Sequence, residues 1–380
     1  MKRAKNRLAI SCPHLGIPSE TFIRRHIVDL CPDGAVVVVN KPIPVEEEAW
    51  SVDCAVYRAK NSRSMFLNLQ RILSDSLGHG WKKPVDFKGI QKFLKEQQVD
   101  VMLGEYLDDA WPLLEIARSL GIKFFAHAHG YDLSCLLHNQ IWREKLADYA
   151  QADGVIVVNR VMKERLITLG VHAEKIHIIP CGVDVPIQPV LRLPRASVHC
   201  LAVGRMVPKK GPLKLVEAFL EAIESGLDLY LDYIGTGPLF SEVSRFVERA
   251  GLGCRVRLLG GQEHRVVMDH MAKADIFLQH SIVDPETGDE EGMPVAVQEA
   301  MAMALPVVST QHAGIPEIIS HGETGFLVAE GDVVGMSEHI VALAREPELR
   351  QSIGVAAWSH ARNQLTWERE KQALLKVLGF

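Results

Sequence analysis

Glu290-Glu291-Gly292-Met293-Pro294-Val295-Ala296-Val297-Gln298-Glu299-Ala300-Met301-Ala302 lies between two short apolar runs, Ile276-Phe277-Leu278-Gln279-His280 and Pro306-Val307-Val308-Ser309-Thr310. Both runs read as strands, and an acidic, glycine-containing loop over residues 284–292 separates the first from the motif. Proline suits the first helical position, where its missing N–H would have had no partner, so a helix is expected over residues 294–304. The N-terminus of such a helix points uncapped N–H groups and a positive dipole end at the loop mouth, a site for phosphate. Glu291 falls just outside that mouth and Glu299 about one and a half turns inside it. At ~1.5 Å per residue the two carboxylates stand roughly 10 Å apart. That span fits a nucleoside diphosphate-sugar, with hydroxyls at each end and two phosphates between. Either glutamate alone reads better as an ordinary exposed acid; the whole string does not.

The string Glu291-Gly-Met-Pro-Val-Ala-Val-Gln-Glu299-Ala-Met-Ala resembles the Glu-x7-Glu motif of retaining GT-B glycosyltransferases, the large group that includes sucrose synthase-like and bacterial polysaccharide-assembly enzymes. The resemblance implies an α/β fold of two Rossmann-like parallel-sheet domains facing across a cleft. Residues 1–185, with a returning helix over 366–380, would form the acceptor side, and residues 195–365 the nucleotide-sugar side. One departure is Ala304 in Ala302-Met303-Ala304-Leu305-Pro306, where the family has glycine; alanine is expected to tolerate a helix end.

Length and composition agree with a two-domain chain. At 380 residues it exceeds what one core supports, and 47% hydrophobic with 23% charged residues is ordinary globular composition. The formal charge of −5 gives no case for nucleic acid. Residues 1–180 carry 24 Lys+Arg against 21 Asp+Glu, whereas the remainder carries 18 against 26. A mildly basic first half suits an acidic acceptor or an anionic membrane. Seven scattered cysteines without a Cys-x-x-Cys pair point to reduced thiols, neither a disulfide frame nor a zinc site. The basic start is followed by too short an apolar run for a signal peptide, and no run approaches a membrane span. A cytoplasmic protein, peripheral on the membrane at most, is expected.

Along the first half, strand-like runs alternate with helix-length segments, as in parallel α/β sheets. The first strand, Leu8–Cys12, leads to Gly16, which would let the backbone approach a ligand, and to Ser19, expected as a helix cap. Pro18-Ser19-Glu20-Thr21-Phe22 also resembles the opening of family members that build bacterial exopolysaccharides, of the colanic acid-like kind. Residues 60–83 form a basic amphipathic stretch ending in Trp81-Lys82-Lys83, either an ordinary half-buried helix or a membrane-surface patch. A helix is expected after Trp111-Pro112, then a strand running from Ile122 to His129. His127 and His129 fall on one face of that strand, but no third ligand is evident and no metal is expected. His129-Gly130-x-Asp132 resembles the family's cleft motif, which implies that His129 faces the donor sugar. Asp132 is expected to cap the next helix or orient the loop.

The second half opens with strand Val198–Val203 and the loop Gly204-Arg205-Met206-Val207-Pro208-Lys209-Lys210-Gly211. Two cations five residues apart can converge on one diphosphate, and the resemblance places Arg205 and Lys210 in that role, with Lys209 a neighbour. Lys210 is expected to be exposed. Gly235-Thr236-Gly237 suggests a dinucleotide fingerprint that Phe240 leaves incomplete. Gly260 marks the edge where the family seats the nucleobase.

The expected site is therefore His129, Arg205, Lys210 and Glu291 as catalytic groups. Gly16, Gly204, Gly260, Gly292, Met293, Pro294, Val295 and Glu299 would bind substrate, without metal or cofactor beyond the nucleoside diphosphate-sugar. The implied reaction is sugar transfer to a hydroxyl of a saccharide or lipid-linked saccharide, with retention. A non-catalytic GT-B partner subunit and a transferase or epimerase acting on a small soluble sugar are the alternatives.

Overall fold

The computed structural model describes residues 7–17, 20–31, 35–41, 44–59, 86–193 and 195–380. The basic stretch 60–83 and the expected cap Ser19 lie outside the described residues. The chain divides into two compact units, residues 1–179 with 371–380 and residues 180–370.

The first unit holds a seven-stranded parallel sheet in the order β3-β2-β1-β4-β5-β6-β7. Its strands are β1 Leu8–Cys12, β2 Val36–Val39, β3 Val56–Arg58, β4 Val101–Glu105, β5 Lys123–His127, β6 Gly154–Val157 and β7 Ile176–Ile178. β1, β2 and β4 are buried at every residue. Helices cover both faces of such a sheet, so these strands read as mostly apolar runs, with Ser11 in β1 and Glu105 at the end of β4 as the polar exceptions. Leu374 and Leu378, from the last helix, close this core.

The second unit holds six parallel strands in the order β10-β9-β8-β11-β12-β13. They are β8 Val198–Val203, β9 Leu229–Ile234, β10 Val256–Gly260, β11 Ile276–Leu278, β12 Val307–Thr310 and β13 Phe326–Val328. In each sheet the strand order reverses beside the first strand, between β1 and β4 and between β8 and β11. Loops leaving the carboxyl ends of such a pair diverge and open a crevice. The loops after β8 and β11 carry Arg205, Lys210 and Glu291; β4 ends on Glu105 beside β5, which ends on His127.

Several boundaries differ from expectation. The helix expected after Pro112 starts at Leu107 and runs to Leu120, with Pro112 inside it. Its first N–H is capped by Asp132 Oδ2 at 3.0 Å, so the start is fixed by a residue 25 positions away. Asp132 thus caps the preceding helix, not the next one, and it also accepts from the N–H groups of His129 and Gly130. Strand β5 stops at His127, leaving His129 beyond it. The motif helix spans Val295–Ala302, with Pro294 at the position before its first turn. Ala304 takes φ 54, a left-handed conformation that strains an alanine. Among the described residues no helix is long and apolar enough to cross a membrane, and none of the seven cysteines is in a disulfide.

Candidate active site

In the second unit the residues of the two motifs meet. Lys210 Nζ lies 3.0 Å from Glu291 Oε1, with the two side chains 14% and 9% exposed. The expectation of an exposed Lys210 is corrected here: its stem lies 3.7 Å from where a Cβ on Gly204 would sit. Burial alone would push the Glu291 carboxyl up, but Lys210 and Lys209 outweigh it and hold it below its ordinary value. Lys209 is also more than a neighbour. It is buried, pairs with Asp289 at 2.9 Å and donates to the Glu290 carbonyl at 3.0 Å, pinning the acidic loop. Arg205 is exposed.

Among the described residues no side chain caps the helix Val295–Ala302, which leaves the N–H groups at its start to other partners. Gly292, Met293 and Pro294 are buried, Val295 partly exposed. Glu299, 14% exposed, accepts from the exposed His264 at 2.8 Å. Gly260, at φ 67, has open space around its missing Cβ, and its carbonyl accepts from Gly235 N–H at 2.8 Å.

Sequence reasoning missed the groups that hold Glu291. His312, 1% exposed, accepts the Glu291 backbone N–H on Nε2 at 3.1 Å and shares its Nδ1 proton with Glu330 at 2.6 Å. The other Glu330 oxygen accepts from Val283 N–H at 2.8 Å, tying the loops after β11, β12 and β13 together. Gly235 and Gly237 also find a use other than a dinucleotide turn. A Cβ on either would strike the carbonyl of Gly204 or Met206, at 1.9 and 2.6 Å, so both are shaped by the cationic loop.

In the first unit, His129 Nε2 lies 2.7 Å from Glu105 Oε2, and His26 Nδ1 lies 2.7 Å from Glu105 Oε1. His127 Nδ1 stands 3.4 Å from the same carboxylate, with neither ring nitrogen in a hydrogen bond. Phe22 and Tyr106 flank the His129 ring, with centroids at 4.4 and 4.8 Å. Gly16, expected to admit a ligand, has φ 82 and meets Glu48 instead: a Cβ there would lie 2.5 Å from Glu48 Cβ. His26 and Glu105 were not foreseen, because neither stands in a local pattern.

Residues 188–359 match the family model for glycosyl transferases group 1, and residues 51–186 that for glycosyltransferase family 4. The amylovoran biosynthesis glycosyltransferase of Erwinia amylovora is 34% identical over 225 residues, covering 57% of this chain and 54% of that protein. A putative colanic acid biosynthesis glycosyltransferase of Escherichia coli K12 is 30% identical over 272 residues, covering 69% and 66%. The chain thus spans between about half and two thirds of these relatives' lengths. Among solved structures, Anabaena HepE in complex with UDP superposes with a TM-score of 0.76 at 18% identity, covering 98% of this chain and 99% of that one. The fold class is therefore GT-B, and by its two family matches and these relatives the chain belongs to the group 1 and family 4 glycosyltransferases.

Proposed function

We propose that this protein transfers a sugar from a nucleoside diphosphate-sugar to a hydroxyl of a saccharide or lipid-linked saccharide, with retention at the anomeric carbon, during bacterial polysaccharide assembly. The observation that carries this reading is the Lys210–Glu291 pair, at 3.0 Å, beside a helix N-terminus that no side chain caps among the described residues. A diphosphate arriving there competes with Glu291 for Lys210, and the freed carboxylate accepts from donor-sugar hydroxyls. Arg205 and the N–H groups of Gly292, Met293 and Val295 share the phosphate charge, which grows as the nucleotide leaves. Glu299 accepts from the ribose diol once His264 yields, and the backbone around Gly260 seats the base. His129 contacts the sugar. The anomeric carbon–phosphate oxygen bond breaks as the acceptor oxygen attacks the same face, and the acceptor proton passes to the leaving phosphate. With Lys210 and Arg205 neutralising the phosphates, no divalent metal is required.

The UDP bound by the Anabaena neighbour, and the amylovoran and colanic acid names of the relatives, support the donor class and the pathway class. The test is thermal stabilisation of the full chain by UDP, GDP and ADP, then release of nucleotide from the matching sugar donors in excess EDTA. We expect one nucleotide to stabilise and its donor to be hydrolysed with EDTA present. No stabilisation by any nucleotide would sink the reading; strict dependence on added Mg²⁺ or Mn²⁺ would reopen residues 284–291 as a metal loop. A lipid-linked acceptor would be met at a bilayer, where residues 60–83 are our candidate contact. Failure to float with anionic vesicles at low salt would remove that part.

A further inference from the structure

The carboxylate of Glu105 is the meeting point of three imidazoles, and all four side chains are buried. His26, Glu105 and His127 are 0% exposed, and His129 is 7% exposed. Burial would push the Glu105 carboxyl up, yet the attraction of His26 and the hydrogen bonds from the His26 and His129 rings hold it well below its ordinary value. An ionised carboxylate can only accept hydrogen bonds. The nitrogens at 2.7 Å, His26 Nδ1 and His129 Nε2, must therefore both carry protons. A divalent metal shared by His26, Glu105 and His127 is the rival reading, since their ligand atoms lie within 4.8 Å of one another. It would have to expel the His26 proton from a hydrogen bond already formed, and His129 would then compete for the same carboxylate.

We infer that Glu105 is the positioning residue for His129: it holds the proton on Nε2, so that the neutral ring presents Nδ1 as a hydrogen-bond acceptor. The partner of a ring nitrogen decides which of the two carries the proton, and here that partner cannot donate. His129 Nδ1 has no protein partner among the described residues. The flanking rings of Phe22 and Tyr106, and the cap on its own N–H from Asp132, restrict rotation. This inference deepens the proposed function and rests on it for the ligand's identity. An acceptor nitrogen selects a hydroxyl of the donor sugar; an imidazolium would instead select a phosphate oxygen.

The test is a nitrogen-15 imidazole spectrum of the full chain at neutral pH, with His129 assigned by the signal missing in His129→Gln. The expected result is one tautomer with hydrogen on Nε2. In Glu105→Met, which takes away the acceptor, His129 should lose that single-tautomer signal and show hydrogen on Nδ1 as well. Hydrogen on Nδ1 in the wild type, or an unchanged His129 signal in a folded Glu105→Met, overturns the inference. Should Glu105→Met fail to fold, the wild-type spectrum decides alone. Visible absorption on adding cobalt(II), lost in His127→Ala, would also overturn it, in favour of a metal site. The spectrum needs no turnover. A His129→Gln protein with unchanged donor hydrolysis would sink the sugar contact and leave the tautomer result standing.

Discussion

Two buried glutamates, one in each unit, meet the same electrostatic difficulty in different ways. Glu105 at the end of β4 is surrounded by imidazoles, whereas Glu291 before the motif helix is held by Lys210 and backed by Lys209. Imidazole N–H groups can satisfy a carboxylate as directional donors. Lysine brings a compact charge on a flexible stem, which a diphosphate can draw away. The first arrangement suits a group that stays fixed; the second suits one that exchanges partners. Both carboxyls are depressed for the same reason, that charge and hydrogen bonding outweigh burial.

Breaking the exchangeable pair should give the largest effect. Lys210→Ala is expected to lower nucleotide release at saturating donor by roughly a hundredfold, about 3 kcal/mol of transition-state stabilisation. It should also lower the unfolding free energy by about 3 kcal/mol, because Glu291 is left buried beside Lys209 alone. Undiminished turnover would remove Lys210 from the diphosphate site, and an unchanged melting temperature would remove the stability argument.

Acid should separate the histidines of the two units. Burial above all holds the His127 ring down at about 4, against 6.5 when unfolded. A depressed histidine leaves the unfolded chain binding more protons, so its contribution is complete above pH 6.5 and is lost as pH falls from there toward 4. His280 in the second unit is held at about 4, mainly by burial and secondly by Lys214, and follows the same sign. Yet His280 accepts from Gly331 N–H at 2.9 Å, while the His127 nitrogens accept nothing. His127→Phe should therefore flatten the loss over pH 6.5 to 4, by up to about 1.4 kcal/mol per pH unit, at small cost at pH 8. His280→Phe should cost stability at every pH by leaving that N–H unpaired. Urea denaturation across pH distinguishes them. Equal behaviour of the two variants would remove the contrast. The two depressed carboxylates add their own losses only below about pH 4.3, as the pH falls through their folded values.

Smaller effects test the surroundings of the motif helix. Ala304→Gly should raise stability by about 1 kcal/mol, since glycine takes φ 54 without the Cβ penalty. A loss on thermal melting would contradict the strain. His264→Ala should change stability by no more than about 0.5 kcal/mol, because the His264 side of its pair with Glu299 is about half exposed to solvent. Weaker nucleotide binding in that variant would mean that His264 stays on the ligand and does not yield.

The sheets were legible in the sequence because parallel strands buried on both faces are mostly apolar, as Val36–Val39 is throughout and Leu8–Cys12 is but for Ser11. The cationic loop and the motif helix were legible for a related reason: their chemistry sits within a few residues of a strand end. Tertiary structure alone decided the rest. Glu105 meets His26 across 79 positions, His312 holds Glu291 across 21, and Asp132 starts a helix that Pro112 obscures. Lys209 and Lys210 are adjacent and chemically alike, yet one pins a loop and the other faces Glu291. Gly235 and Gly237 follow from carbonyls some thirty residues earlier, not from a bound dinucleotide. Local pattern records burial and backbone preference, which each residue satisfies with its near neighbours. Partners of a buried charge are chosen by whichever loops the strand order brings together, and no window of sequence contains them.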